Sequence, residues 1–389
     1  MSEKSEKNIK TIKTILTVLV LIAVLAVCKL SGNVSIRILL SFFIFLLVLP
    51  LVSALEKAKI PSFLATIIAV LVIVVVVLLF VWFVFFSVDM LIQKVPEYAA
   101  RINDLDVILK GMFGKWIDIP DDVSFFSSLK IDWVGSVIMP VLRNVSSSAI
   151  NILSNVLLVI LMTVFLLGER HVIISKLMNF ITSGNEEKLS VIWERIVRQV
   201  SKYITIKVLV SVLTGVLFYV VALIAKLYFA LLWGVMAVVL NFIPTIGSII
   251  ITVLVTLMSI IQFAPSIGPI LFVGISAVVI QNVVGNFLDP RLSGNSLNLS
   301  PFIILVGLGL FGYVWGIVGM FLAVPLLSVL QIICANVDAA RPIAMLISSG
   351  RSYKRQTRQG REMREKKRAS KKSGNYEDFS DDIMFPDKK

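Results

Sequence analysis

Charge is nearly absent from the second half of this sequence. From residue 227 to residue 337, a stretch of 111 residues, the only acidic or basic side chains are Asp289 and Arg291. Histidine occurs once in 389 residues, at His171, and cysteine twice, at Cys28 and Cys334. A single histidine removes most catalytic dyads and any His-Glu-x-x-His metal helix. No Gly-rich loop ending in Lys-Ser/Thr is present to cradle a nucleotide phosphate. Two cysteines in apolar stretches build neither a disulfide framework nor a metal site. The sequence therefore reads as neither an enzyme nor a cofactor carrier, and ATP-driven transport by this chain alone is disfavoured.

What is present is apolar. Hydrophobic residues make up 58% of the chain, against about 45–50% in soluble proteins, and the mean hydropathy is +0.95. This is the composition of an all-α polytopic membrane protein. The formal charge of +13 is mostly local: between Arg351 and Lys372, eleven Lys and Arg stand against Glu362 and Glu365, which supplies +9. Such a tail fixes topology and touches anionic lipid. It carries no aromatic residue between Tyr353 and Tyr376, so base stacking, and with it nucleic acid, is not expected.

In chain order, residues 1–88 hold three apolar runs: 14–28 behind Lys4, Lys7, Lys10 and Lys13, then 38–55, then 61–88. The Leu-Ala-Val-Cys ending at Cys28 is not a lipoprotein signal, because Val27 is too bulky, and the run reads as an uncleaved first span. More than 20 apolar residues in the third run match a membrane-crossing helix. Residues 89–144 turn polar, as an extracytoplasmic excursion in which Tyr98, Ile102, Leu105, Leu109 and Met112 fall on one helical stripe. Residues 145–202 hold a fourth span, His171 at an interface, and an amphipathic segment whose Leu189, Ile192, Trp193, Ile196 and Val200 suit a helix lying on the membrane surface. A fifth span starts near Tyr203, with Lys207 placed to snorkel.

Residues 203–337 form a core with two interrupted runs. Residues 228–263 are one apolar block broken by NFIPTIGS, from Asn241 to Ser248. Each half is about 22 Å long as a helix, too short to cross comfortably, and Pro244 and Gly247 permit a tight turn. Residues 269–288 read as an ordinary span carrying Gln281, Asn282 and Asn286. Residues 302–333 break at GYVWGIVG, from Gly312 to Gly319. Both interrupted runs read as helical hairpins, giving about eight membrane-embedded elements; for the second, two closely packed helices meeting at Gly312 and Gly316 fit as well. The basic tail occupies residues 338–389. With the N-terminal lysines in the cytoplasm the tail is cytoplasmic too, and the two breaks enter from opposite faces. Irregular backbone at that depth is tolerated where protein buries it or a wet cavity lines it, as in transporters.

Three blocks carry a resemblance. LNFIPTIGSII at 240–250, GNFLDPRLSGNSLNLSP at 285–301 and WGIVGMFLAVPL at 315–326, in this order, resemble the signature blocks of the autoinducer-2 exporter (AI-2E) family of bacterial membrane transporters. The resemblance covers most of the chain, including residues 192–215. It implies a small-molecule exporter in the bacterial cytoplasmic membrane, homo-oligomerisation, and sliding of a hairpin-bearing domain against a scaffold; some members are associated with sodium/proton exchange. Two departures stand out. Tyr203-Ile204-Thr205-Ile206-Lys207 replaces the Gly-Gln pair that many members carry after the tyrosine, and Ser293-Gly294-Asn295 replaces a more frequent Met-Gly.

The leading functional reading is a secondary transporter exporting a small polar metabolite. Its expected path residues are Asn241, Pro244, Gly247, Ser248, Gln281, Asn282 and Asn286, neutral groups suited to a hydroxylated solute together with the turn that presents them. Its expected gate residues are Asp289, Pro290, Arg291, Gly294, Pro301, Gly316 and Gly319, with Asp289 and Arg291 bracing the inner mouth as an ion pair. Cation/proton antiport is the second reading, weakened because Asp289 is the only acidic candidate near a span. A membrane scaffold that recruits partners through the excursion and tail is the third.

Overall fold

The computed structural model describes residues 3–113, 139–170, 186–293, 299–336 and 340–349. Among them there is no strand, only an isolated antiparallel bridge between Leu299 and Ser348. The helices are α1 Glu3–Leu30, α2 Gly32–Lys57, α3 Ser62–Phe113, α4 Met139–Gly168, α5 Glu186–Ile224, α6 Ala230–Leu240, α7 Ile246–Phe263, α8 Ile267–Ile280, a π-helical segment Gln281–Leu288, α9 Asp289–Ser293, α10 Pro301–Asn336 and α11 Arg341–Ile347. Six stretches of these helices are long and apolar enough to cross a membrane, among the described residues: Gly32–Lys57, Ser62–Phe83, Ile192–Ile224, Ile246–Phe263, Ile267–Leu292 and Pro301–Asn336. The protein is an all-α polytopic membrane protein.

Two packed clusters organise the helices, and α5 runs through both. The first joins Phe45, Leu46 and Val52 of α2, Ala65 and Ala69 of α3, Leu167 of α4, Ile196, Val200 and Ile204 of α5, and Leu308, Phe311 and Leu327 of α10. The second joins Val210 and Phe218 of α5 with Ala237 of α6, Ile251 and Val255 of α7, Val273 and Ala277 of α8 and Val284 of the π segment. The same helix therefore serves one body with its first half and the other with its second.

Several sequence expectations change here. The boundary at Asp89 is not a break: α3 is one helix of 52 residues, about 78 Å long, running through the stripe from Tyr98 to Met112 and beyond any bilayer. The amphipathic segment before Tyr203 does not lie on the membrane surface, because it is continuous with the fifth span as the 39-residue α5. Its apolar face is taken by protein: Trp193 meets the Phe42 ring at 6.3 Å, and Ser201 Oγ donates to the Leu46 carbonyl at 2.7 Å. The span at 269–288 is not ordinary helix either, since its last eight residues are π-helical.

Past residue 338, α11 packs on α10 and buries Ala340, Ala344 and Ile347. Ser300 N–H donates to the Ile347 carbonyl at 2.9 Å, tying α11 to the entry of α10. His171, Gly294 and the charged run from Arg351 to Lys372 lie outside the described residues.

Candidate functional site

The first break lies between α6 and α7. Phe242 and Ile243 close a tightened turn through N–H bonds to the Val239 and Leu240 carbonyls at 3.2 and 2.9 Å. Pro244 then has no amide to donate, and the Ile246 N–H reaches back only two residues, to the Pro244 carbonyl at 2.6 Å. Thr245 between them takes φ 63° and ψ −55°, a γ-turn conformation that is rare and strained, the more so for a β-branched residue. Gly247 follows because a Cβ there would overlap the Leu240 carbonyl oxygen. Asn241 is buried and its Nδ2 donates to Ser211 Oγ of α5 at 3.0 Å. Ser248 and Pro244 are half-buried beside it.

The second break is inside α10. Trp315 has φ −125° and ψ 15°, and Gly316 has φ 64° and ψ −145°, a backbone region essentially reserved for glycine. The chain folds back on itself there. In a straight helix residues 307 and 327 would stand about 30 Å apart, yet a Cβ on Gly307 would press on the Leu327 side chain. Gly319 repeats the role of Gly247, its absent Cβ making room for the Phe311 carbonyl. Trp315 stacks on Phe311 with ring centroids 5.8 Å apart, and its Nε1–H donates to Ser35 Oγ of α2 at 2.9 Å.

The two breaks meet. Phe242, at the tip of the first, stacks on Phe321, in the second half of α10, at 5.7 Å. Ile243 beside it is buried in the same cluster as Phe311 and Trp315. So Asn241, Pro244, Gly247 and Ser248 are gathered at one tip, Gly316 and Gly319 at the other, and an aromatic contact bridges the two regions.

Gln281, Asn282 and Asn286 lie on the π segment, which packs on α5 and α7. Asn282 and Asn286 are exposed and partly satisfied locally: Asn282 Nδ2 donates to the Val278 carbonyl at 2.8 Å and Asn286 Nδ2 to Asn282 Oδ1 at 3.0 Å. Asp289 follows, and its carboxylate reaches across to α5 rather than along its own helix, accepting from Lys207 Nζ at 2.9 Å. Both side chains are largely buried, 8% exposed for Lys207 and 20% for Asp289. Arg291, expected beside Asp289 as its ion-pair partner, sets its guanidinium 3.6 Å over the Phe287 ring instead. Pro290 and Pro301 are exposed, Pro301 opening α10.

A second polar tie sits past the other end of α5. Glu97 of α3 accepts from Lys94 Nζ at 2.6 Å and from Tyr228 Oη at 2.9 Å, and Lys94 also lies 5.0 Å from the Tyr228 ring centroid. The hydrogen bond from Lys94, then that from Tyr228, holds the Glu97 carboxyl below its ordinary value, while the bond to Glu97 raises Lys94. Gln262 of α7 fixes the turn that presents Tyr228, accepting from its N–H at 2.7 Å and donating to the Lys226 carbonyl at 2.8 Å.

Sequence reasoning passed over Lys207, Thr245, Trp315 and this Lys94–Glu97–Tyr228 tie. Lys207 left a signal, as a lone cation in an apolar run, but was read as snorkelling. Trp315 and the tie depend on contacts between residues far apart in the chain, and Thr245 on a local backbone conformation that its residue type does not favour.

The sequence profile described as AI-2E family transporter matches residues 16–338, a range that contains both breaks and both polar ties. The chain belongs to the AI-2E transporter family. It is therefore a multi-pass membrane transporter of a bacterial family. Among its relatives, a putative transport protein of Borreliella burgdorferi is 34% identical over 316 residues, 80% of this chain and 83% of that one. A putative transport protein of Haemophilus influenzae is 27% identical over 84% of this chain and 93% of its own length. The AI-2 transport protein TqsA of Escherichia coli is 25% identical over 82% and 91%. The AI-2E match ends at residue 338, so α11 and the basic tail lie beyond it.

Proposed function

We propose that this AI-2E transporter is a secondary exporter of a small polar metabolite, with AI-2 itself among the candidate solutes, working by alternating access. The observation that carries this reading is the meeting of two interrupted helices through Phe242 and Phe321. A scaffold has no use for strained, glycine-dependent backbone in a membrane region, whereas transporters build solute sites from such breaks. The breaks act as re-entrant hairpins approaching from opposite faces. The body built on α6, α7, α8 and the π segment moves against the body built on α2, α3, α4 and α10, with α5 as the shared axis. The Lys207–Asp289 pair closes the inner mouth and the Lys94–Glu97–Tyr228 tie the outer one. Lys207 lies 17 residues before the end of α5, about 26 Å along its axis, so the ties mark opposite ends of one crossing.

In this reading the protein sits in the bacterial cytoplasmic membrane with both termini inside. The basic tail rests on anionic lipid, nucleic acid plays no part, and the working form is a homo-oligomer. The test is flux from liposomes holding the purified protein, with AI-2 and other small solutes inside and sodium and proton gradients imposed. AI-2 efflux that is independent of sodium supports the exporter. Sodium-driven collapse of a proton gradient with no solute movement replaces it with an antiporter.

A further inference from the structure

The four side-chain amides expected along the path are not equivalent. Asn241, Asn282 and Asn286 each have a protein hydrogen-bond acceptor within 3.0 Å. Gln281 differs. Its Nε2 and Oε1 are both shut away from the surface, and neither has a hydrogen-bond partner among the described residues. An amide buried with both ends unmet is expensive and rare in a native protein, and such a group calls for a role.

Its position supplies one. Gln281 opens the π segment, a rare helical form that is frequent at functional sites. Its neighbours Ile280 and Val284 are buried in the cluster that α5, α6 and α7 share. On the Gly285 side there is room: a Cβ built there would find only Gln281 Oε1, at 4.0 Å. The amide is thus held by packing, unmet by protein, and bordered by a residue without a side chain.

We infer that Gln281 is the specificity-determining contact for an uncharged, hydroxyl-bearing solute; this rests on the transport reading above. A carboxamide offers one acceptor and one donor side by side. A hydroxyl answers both, donating to Oε1 and accepting from Nε2. A bare cation leaves Nε2 unmet and a bare anion leaves Oε1 unmet. Of the two charges nearest in sequence, Asp289 is answered by Lys207 and Arg291 lies over the Phe287 ring. Gln281 is a site that favours solute over any arrangement of its own protein.

The test uses the full chain in lipid nanodiscs and liposomes, as wild type, Gln281→Leu and Gln281→Asn. The probes are AI-2 and ribose as uncharged hydroxylated solutes, and glutamate and sodium as charged ones. Without probe, Gln281→Leu melts at a higher temperature than wild type, because the unmet amide is gone. AI-2 or ribose raises the wild-type melting temperature and does not raise that of Gln281→Leu. For the transported probe, Gln281→Leu raises KM about tenfold or more with the maximal rate less affected. Gln281→Asn, one methylene short, folds normally and falls between the two. Gln281→Leu with KM within about twofold of wild type overturns the inference and leaves the transport reading standing. So does a wild type that moves or is stabilised by glutamate only, whereas one that moves sodium only overturns both the inference and the exporter reading. A wild type that moves no probe and is stabilised by none overturns both.

Discussion

Lys207 and Asp289 are opposite charges placed in the apolar core region, and the structure joins them at 2.9 Å. Each protects the other from an uncompensated charge, so removing one is worse than removing both. Lys207→Met alone should lower stability by about 3 kcal/mol, and Lys207→Met with Asp289→Leu should recover most of it. Thermal unfolding in nanodiscs reads both. On the gate role proposed for the pair, flux should stay low in the double variant, because restored packing does not restore a separable ion pair. This pair also shows how far a residue-level reading reaches. Asp289 was visible as a rare charge, and Arg291, two positions away, looked like its partner. Lys207 is 82 positions away, and only the docking of the π segment on α5 brings it near.

At the scale of elements, both breaks use one device in different residues. A residue with positive φ, Thr245 at 63° and Gly316 at 64°, turns the chain, and a glycine two and three positions later, respectively, admits a carbonyl from before the turn. Because φ 64° with ψ −145° at Gly316 excludes a Cβ, Gly316→Ala should cost about 1–3 kcal/mol. Gly309→Ala, in the same helix and with open space at its Cβ, should cost little. The comparison of their melting temperatures isolates the turn. The Pro and Gly residues of NFIPTIGS announced the first break from sequence. The strain at Thr245 was not legible, since threonine is not a residue that seeks positive φ. The π segment was equally hidden, because eight residues are too few for apolar spacing to separate a π-helical stretch from an α-helical one.

Across the whole molecule, α3 carries a polar tie out past its apolar part to the turn that starts α6. Glu97 there faces Lys94, Tyr228 and Arg101. Its folded value is lowered, so the tie is present above the ordinary carboxylate value of about 4 and is lost as pH falls through that lowered value. Lys94 is raised, so its part holds below the ordinary lysine value of about 10 and is lost as pH climbs through the raised one. Spin labels at Gln93 and Lys226 should therefore report a constant short distance from about pH 5 to 9, lengthening only under stronger acid. In Glu97→Gln the acid-dependent step should vanish. A distance in wild type that changes between pH 5 and 9 would show that another group controls this end of the molecule.

Apolar runs and paired Pro/Gly interruptions were enough, by themselves, to determine an all-helical membrane protein with two broken segments, and three sequence blocks carried the resemblance to its family. Those properties are local: a helix that must satisfy its backbone in lipid is recognisable from about 20 consecutive residues. Tertiary structure decided the rest. It joined Lys207 to Asp289, stacked Phe242 on Phe321, ran α3 and α5 unbroken through polar boundaries, and left the Gln281 amide without a protein partner. Each of these depends on which helix faces which, and the identity of a residue says nothing of its neighbour until the chain has packed.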